Sequence, residues 1–223
     1  MPSFVPYHIG DEQLILTGER TLFWESQRTL VIADLHVGKT GHFRKEGINI
    51  PQSVYKDDLH RLLAQLLFFR AEKLVIAGDL THSVENSEMD LFKKWRHDFP
   101  SLEVHLAKGN HDILKEDWYK KAGIIVHHEP LSVGPFLFVH DITDWKDDRP
   151  AEQYIFSGHV HPAVSMAGKA KQSLRLPCFY FTKQYCILPA FSRFTGGYRV
   201  MPRKGDNVFA IAGKEILSFR DLQ

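Results

Sequence analysis

Five short stretches of this chain carry side chains for which a hydrophobic core has no use. They read Asp34-Leu35-His36, Gly78-Asp79, Gly109-Asn110-His111-Asp112, His140 and Gly158-His159-Val160-His161, and each comes at or within a residue of the end of a largely apolar run. Carboxylate and amide oxygens and imidazole nitrogens are the donors that hold divalent cations, and imidazole can also carry a proton near neutral pH. Asp34 and His36 lie two apart in an extended segment, so their side chains leave on one side and can chelate a single ion. Asp79 offers two carboxylate oxygens that could bridge a pair of ions. The separation such a bridge needs, about 3.5 to 4 Å, is the one that clamps the attacking and leaving oxygens of a phosphoryl group. Asn110, His140, His159 and His161 would complete the two shells.

Charge arithmetic points the same way. Two ionised carboxylates against two divalent ions leave roughly two positive charges, enough to attract a phosphate and to lower the pKa of a bridging water toward hydroxide. A set with imidazole and carboxylate but no thiolate suits manganese, iron or zinc better than magnesium or calcium, and manganese is the expected metal. His111, just past Asn110, is placed to face the phosphate, stabilising its charge or protonating the leaving oxygen, with Asp112 behind it as orienter. The bland alternative is that His111 only satisfies the hydrogen bonds of a turn.

The elements that must position these residues are legible from periodicity. Up to residue 28 apolar and polar positions alternate, broken at Gly10 and Gly18, as in short antiparallel strands leading into a core strand over 29–33. Residues 34–49, rich in glycine and basic side chains, read as a long loop beside the first two ligands. There Lys39, His42 and Arg44 are candidate contacts to a phosphoester. Pro51 opens a helix over 51–70, a second helix spans 85–97 and a short one 115–121, with strands over 74–77 and 102–107 between them. From residue 124 the pattern is mostly strand: 124–127, 136–140, 154–157, 174–181, 185–188, 208–212 and 216–219. The pattern predicts an α/β fold in which two mixed sheets stack with helices outside, formed by residues 1–223 as a single domain.

Composition supports a globular chain. It has 223 residues, 43% hydrophobic and 25% charged, and a formal net charge of +1. No apolar run approaches the roughly 20 residues of a membrane span, and the start lacks a secretory pattern, so no membrane partner and a cytoplasmic location are expected. Cys178 and Cys186 fit neither a redox nor a zinc spacing and read as free thiols packed in strands. Averaging hides one asymmetry: residues 162–205 hold eight basic side chains and no Asp or Glu. That local field favours an anionic, polymeric substrate. Of the 13 histidines, His8, His60, His97 and His105 carry no partner pattern. His127 and His128 compete with His140 as ligands, but His140 ends a clean strand; His82 is expected to line the site.

Taken in order, the five motifs closely resemble those of the calcineurin-like metallophosphoesterases. The resemblance implies a four-layer α/β/β/α sandwich with two mixed sheets and flanking helices. It also implies two divalent metal ions, one held by Asp34, His36, Asp79 and His161, the other by Asp79, Asn110, His140 and His159. A narrower likeness rests on Ala33 to Lys39, His42-Phe43-Arg44, Leu176-Pro177-Cys178, Leu188 to Phe191 and Thr195-Gly196-Gly197. These stretches look like the bacterial DNA-ligase-associated metallophosphoesterases of the PdeM type, described as endonucleases and tied to the DNA damage response. That likeness implies a DNA substrate and a DNA ligase, helicase or exonuclease as partners. The function expected is a metal-dependent phosphodiesterase, a DNA-repair-associated nuclease. The alternatives are a small-molecule phosphatase or cyclic-nucleotide phosphodiesterase with the same centre, or a non-catalytic scaffold for a ligase or helicase.

Overall fold

The computed structural model describes residues 3–82, 84–144, 153–167 and 173–219. Its first sheet begins as the alternation predicts, with β1 (Phe4–Ile9), β2 (Glu12–Thr17), β3 (Leu22–Trp24) and β4 (Thr29–Ile32) in an antiparallel meander. Beyond β4 the sheet becomes parallel through β5 (Lys73–Ala77), β6 (Glu103–Ala107) and β7 (Ile124–His127), in the order β1 to β7. Parallel neighbours require crossovers, and helices supply them. These are α1 (Lys39–Lys45) and α2 (Ser53–Phe69) after β4, α3 (Ser87–His97) after β5 and α4 (Glu116–Lys121) after β6.

The alternation of side chains along the strands divides the core in two. Leu30 and Ile32 of β4, with Leu74, Ile76 and Leu106, meet the helices at Leu59, Leu62, Leu66, Met89, Phe92 and Trp118. Val31, Val75 and Ala107 face the other way, where with Leu14 and Trp24 they pack on Phe136, Phe138, Phe156, Phe179 and Phe181. Those phenylalanines belong to the second sheet, which comprises β8 (Leu131–Val133), β9 (Phe136–Val139), β10 (Tyr154–Ser157), β11 (Pro162–Ala167), β12 (Ser173–Phe181), β13 (Tyr185–Ile187), β14 (Tyr198–Arg199), β15 (Asn207–Ala212) and β16 (Glu215–Ser218). The order runs β14-β11-β12-β13-β10-β9-β8, with β15 and β16 added beside β12. Both sheets are mixed, giving an α/β fold of two stacked sheets.

The structure departs from the expected layout in two places. Among the described residues, no α-helix covers the outer face of the second sheet, where Val164, Leu176, Cys178 and Val208 cluster. The sheet grows there by antiparallel returns, β11 to β12, β12 to β13 and β15 to β16, which need no crossover helix. The second departure is the loop expected over 34–49, which contains α1. Seven residues with a glycine at the third position show no helical periodicity, so tertiary contacts must hold them. Thr40 and Arg44 both reach the buried Glu88 of α3, the latter at 2.6 Å. Gly41 lies where a Cβ would stand 3.0 Å from Asn86 Oδ1.

Cys178 and Cys186 are free and buried, as expected. Burial pushes both thiols up, that of Cys178 to about 12, so neither is reactive at neutral pH. No described helix is long and apolar enough to cross a membrane. Of the acid-free basic stretch, Lys169 and Lys171 lie outside the described residues.

Candidate metal centre

The ligand-bearing loops leave the C-terminal ends of parallel strands, where side chains from neighbouring turns converge. Asp34 and His36 follow β4, Asp79 follows β5, and Asn110 and His111 follow β6; His140 follows β9, and His159 and His161 follow β10. The two sheets meet at this edge. Asp34 N–H donates to Gly78 O at 3.1 Å, and His159 N–H to the Asp34 carboxylate at 3.1 Å. Five of the expected ligands adopt left-handed backbone conformations, Asp34 (φ 53°), His36 (51°), Asp79 (47°), His159 (65°) and His161 (51°). Such a residue costs about 1–2 kcal/mol relative to ordinary backbone. Strain concentrated on chemistry-bearing residues marks a site whose geometry is imposed by its surroundings.

Two groups of donors result. Asp34, His36 and His161 form one; Asp79, His140 and His159 form the other. In the first, the Nε2 atoms of His36 and His161 face each other at 3.4 Å, with Asp34 Oδ2 3.6 Å from the latter, while the buried Nδ1 of His36 has no hydrogen-bond partner. Two imidazole nitrogens converging beside a carboxylate are what a cation between them would require. In the second, Nε2 of His140 lies 2.7 Å from Asn110 Oδ1, 2.9 Å from His159 Nδ1 and 3.7 Å from Asp79 Oδ2. One imidazole proton cannot serve three such neighbours, and a shared cation can. These residues therefore fit divalent metal. Burial pushes the Asp79 carboxyl up to about 8, opposed by the His111 N–H and reinforced by Asp34. Burial, with Lys39 nearby, keeps His36 far below the ordinary imidazole range, in the neutral form a metal ligand needs.

The motif glycines answer to space. A Cβ at Gly78 would fall on the His140 ring, and one at Gly109 on the Asp79 carboxylate. Any side chain at either position would displace a ligand.

The remaining candidates divide. His111 donates its N–H to Asp79 Oδ1 at 2.9 Å, and its ring stacks on His82 with centroids 4.6 Å apart and lies 5.6 Å from His36. Asp112 does not orient it. One of its oxygens takes the Thr81 N–H at 2.8 Å and the Thr81 hydroxyl at 3.0 Å, and the other takes Gly109 N–H at 2.9 Å. The expected orienter is thus a clamp between the β5 and β6 turns, and His82, which does line the site, supports the His111 ring instead. Lys39 is partly buried close enough to Asp34 and Asp79 for their charges to hold its proton against desolvation. His42 lies 6.0 Å from the His82 ring, whereas Arg44 is committed to Glu88 and to Ile50 O at 3.2 Å, a structural role.

Sequence reading missed Asp141, whose Oδ2 stands 3.4 Å from His159 Nε2 while the Nδ1 of that ring faces His140. A carboxylate behind a ligating imidazole fixes its tautomer. Its adjacency to His140 was the available signal. His127 and His128 take no part: His127 bonds His105 at 2.9 Å and His128 pairs with Glu116 at 2.9 Å.

Fold and donor groups together resemble those of the metallophosphoesterases, hydrolases of phosphoesters. Residues 27–123 match the family model of calcineurin-like phosphoesterases. The match takes in Asp34, His36, Asp79 and Asn110, while the three histidines of the second sheet lie beyond it. Among solved structures, Pseudomonas putida nuclease MPE aligns over 97% of this chain and 100% of its own, at 27% identity and a TM-score of 0.80. Yfce, a phosphoesterase from E. coli, aligns over 87% of this chain and 94% of its own at 12% identity and a TM-score of 0.43. No curated protein sequence matches the chain.

Proposed function

We propose that this protein is a metal-dependent phosphodiesterase acting on nucleic acid, a nuclease of the DNA-repair kind, and that residues 1–223 form one domain around a dinuclear centre. The observation that carries this reading is the convergence of two donor groups from two sheets on one edge. The likeness to a nuclease over nearly the whole chain supports it. Two divalent cations, manganese by preference, would be held by Asp34, His36, Asp79 and His161 and by Asp79, Asn110, His140 and His159. When bound there, they supply Lewis-acid polarisation of the phosphoryl oxygens and a nucleophile at neutral pH.

The chain's own residues do the rest. With only the two carboxylates of the buried Asp34 and Asp79 among the proposed ligands, two divalent cations would keep a net positive charge that attracts a phosphate. His111, which burial holds below the ordinary imidazole range, is neutral at pH 7 and offers an N–H to phosphate oxygens as charge gathers on them. Lys39 brings an ammonium to the same mouth, and His42 extends the polar rim.

The test is a substrate panel with manganese: a model phosphodiester, a model monoester, single-stranded DNA and duplex DNA. The reading expects turnover of the diester and of DNA. Activity confined to monoesters would make the protein a phosphatase, and no turnover of any phosphoester would leave only a binding role.

A further inference from the structure

The mechanism leaves unused a cavity of about 180 Å³ beside His161, roughly six times the share of one liquid water. It is lined by His161, Arg20, Arg175, Thr195, Gly196 and Gly197 among others, and by no carboxylate. Arg20 is the third residue of the four-residue return between β2 and β3, held in a left-handed conformation (φ 66°). Its Nη1 donates to Ala190 O at 3.1 Å and Ser192 O at 2.9 Å, which aims the guanidinium and leaves Nη2 and Nε without a partner among the described residues. Arg175 of β12 is anchored likewise, Nη1 to Gly197 O at 3.1 Å. Neither guanidinium forms a salt bridge among the described residues; burial, with Arg61 and Arg193 nearby and against the charges of Asp58 and Glu19, brings Arg20 down to about 10, so it stays charged at neutral pH. An anion in the cavity would meet N–H groups of both guanidiniums with no carboxylate in the lining to compete for them.

The segment 195–197 adds neutral donors. The Thr195 hydroxyl is shielded from solvent and has no partner. The N–H groups of Thr195, Gly196 and Gly197 make no hydrogen bond among the described residues. Gly196 has no steric reason to be glycine: its φ is not positive and a Cβ there would meet nothing within 4 Å. A bare backbone with unbonded donors in the lining of a cationic cavity admits close approach by an anion. Tyr198 N–H, next in the chain, donates to His161 O at 2.9 Å, so this segment is tied directly to a ligand of the centre.

We infer that the cavity formed by Arg20, Arg175 and Thr195-Gly196-Gly197 is a second phosphate subsite, holding the phosphodiester that flanks the one at the metal centre. This rests on the phosphodiesterase reading and makes it more specific: the substrate is a polymer with phosphates on successive residues. Arginine forks and a hydroxyl suit nonbridging phosphate oxygens and read no base, so the subsite sets register without sequence preference.

The experiment compares kcat/KM for a dinucleotide with one internal phosphate and a trinucleotide with two, with manganese, in wild type, Arg175→Ala, Thr195→Val and a charge-matched control, Lys94→Ala, on the outer face of α3. Wild type and Lys94→Ala should prefer the trinucleotide by roughly tenfold or more, the yield of one or two charge-assisted hydrogen bonds. In Arg175→Ala and Thr195→Val that ratio should fall toward one, chiefly through KM for the trinucleotide, and Arg175→Lys should restore part of it. A wild-type ratio near one, or a ratio unchanged in both cavity variants, overturns the subsite while leaving the phosphodiesterase reading intact. Failure of wild type to cleave either compound overturns the reading itself and the subsite with it.

Discussion

At the residue scale, the neighbours Asp112 and His111 do different work, and two substitutions separate them. Asp112 is buried and accepts three hydrogen bonds from the β5 and β6 turns. Asp112→Ala should cost about 2–4 kcal/mol of stability by stranding those donors, visible as a lowered urea midpoint. His111→Ala, whose ring is only partly buried, should leave that midpoint nearly in place and lower kcat by about a hundredfold. The candidate ligands were legible in sequence because their motifs break off apolar strands. The role of Asp112 was not, because its partner Thr81 lies 31 residues away and nothing local reports the contact.

Asp79 also gives a pH dependence with a definite sign. Its folded carboxyl, raised by burial to about 8, binds a proton that the unfolded chain releases near pH 4, so the stability it contributes without metal is lost as pH rises through about 8. A cation can take the proton's place. The rise in melting temperature on adding manganese should therefore be small near pH 5 and grow toward about pH 9, as scanning calorimetry at several pH values would measure. A rise that shrinks with pH would mean that metal binds elsewhere.

At the scale of elements, α2 shows why a helix read correctly from its apolar stripe still held a surprise. Leu59, Leu62 and Leu66 cover the sheet as the periodicity requires, but Asp58, Arg61 and Gln65 are buried too. Arg61 reaches Asp58 at 2.7 Å and Glu19 O at 2.7 Å, bonds Phe191 O, and lies 3.9 Å over the Phe191 ring. It thus pins the helix to segments on either side of Arg20 and Arg193. Arg61→Ala leaves Asp58 buried without its cation and should destabilise the fold by about 3 kcal/mol or more in urea denaturation. A loss under about 1 kcal/mol would mean that the network is cosmetic. The element missed outright, α1, has the same explanation in reverse. Its stability resides in Glu88 and Asn86 of a distant helix, and a glycine-rich basic segment carries no periodicity of its own.

At the scale of the molecule, among the described residues the α-helices flank only the first sheet while the second ends in antiparallel strands, and Arg175 and Tyr198 of that second sheet are exposed. The parallel half of the fold was readable from alternating strand and helix. The pairing that brings β10 beside β9 and β13, and with it His159 to His140, was not, because no local pattern encodes which strands become neighbours. The account as a whole depends on two donor groups acting as one pair of cation sites. The most direct measurement is a manganese titration of metal-free protein followed by electron paramagnetic resonance. The account predicts two ions per chain with an exchange-coupled spectrum, and loss of the coupling in Asp79→Asn. A single uncoupled ion, or a coupled pair that survives removal of the Asp79 carboxylate, would contradict it.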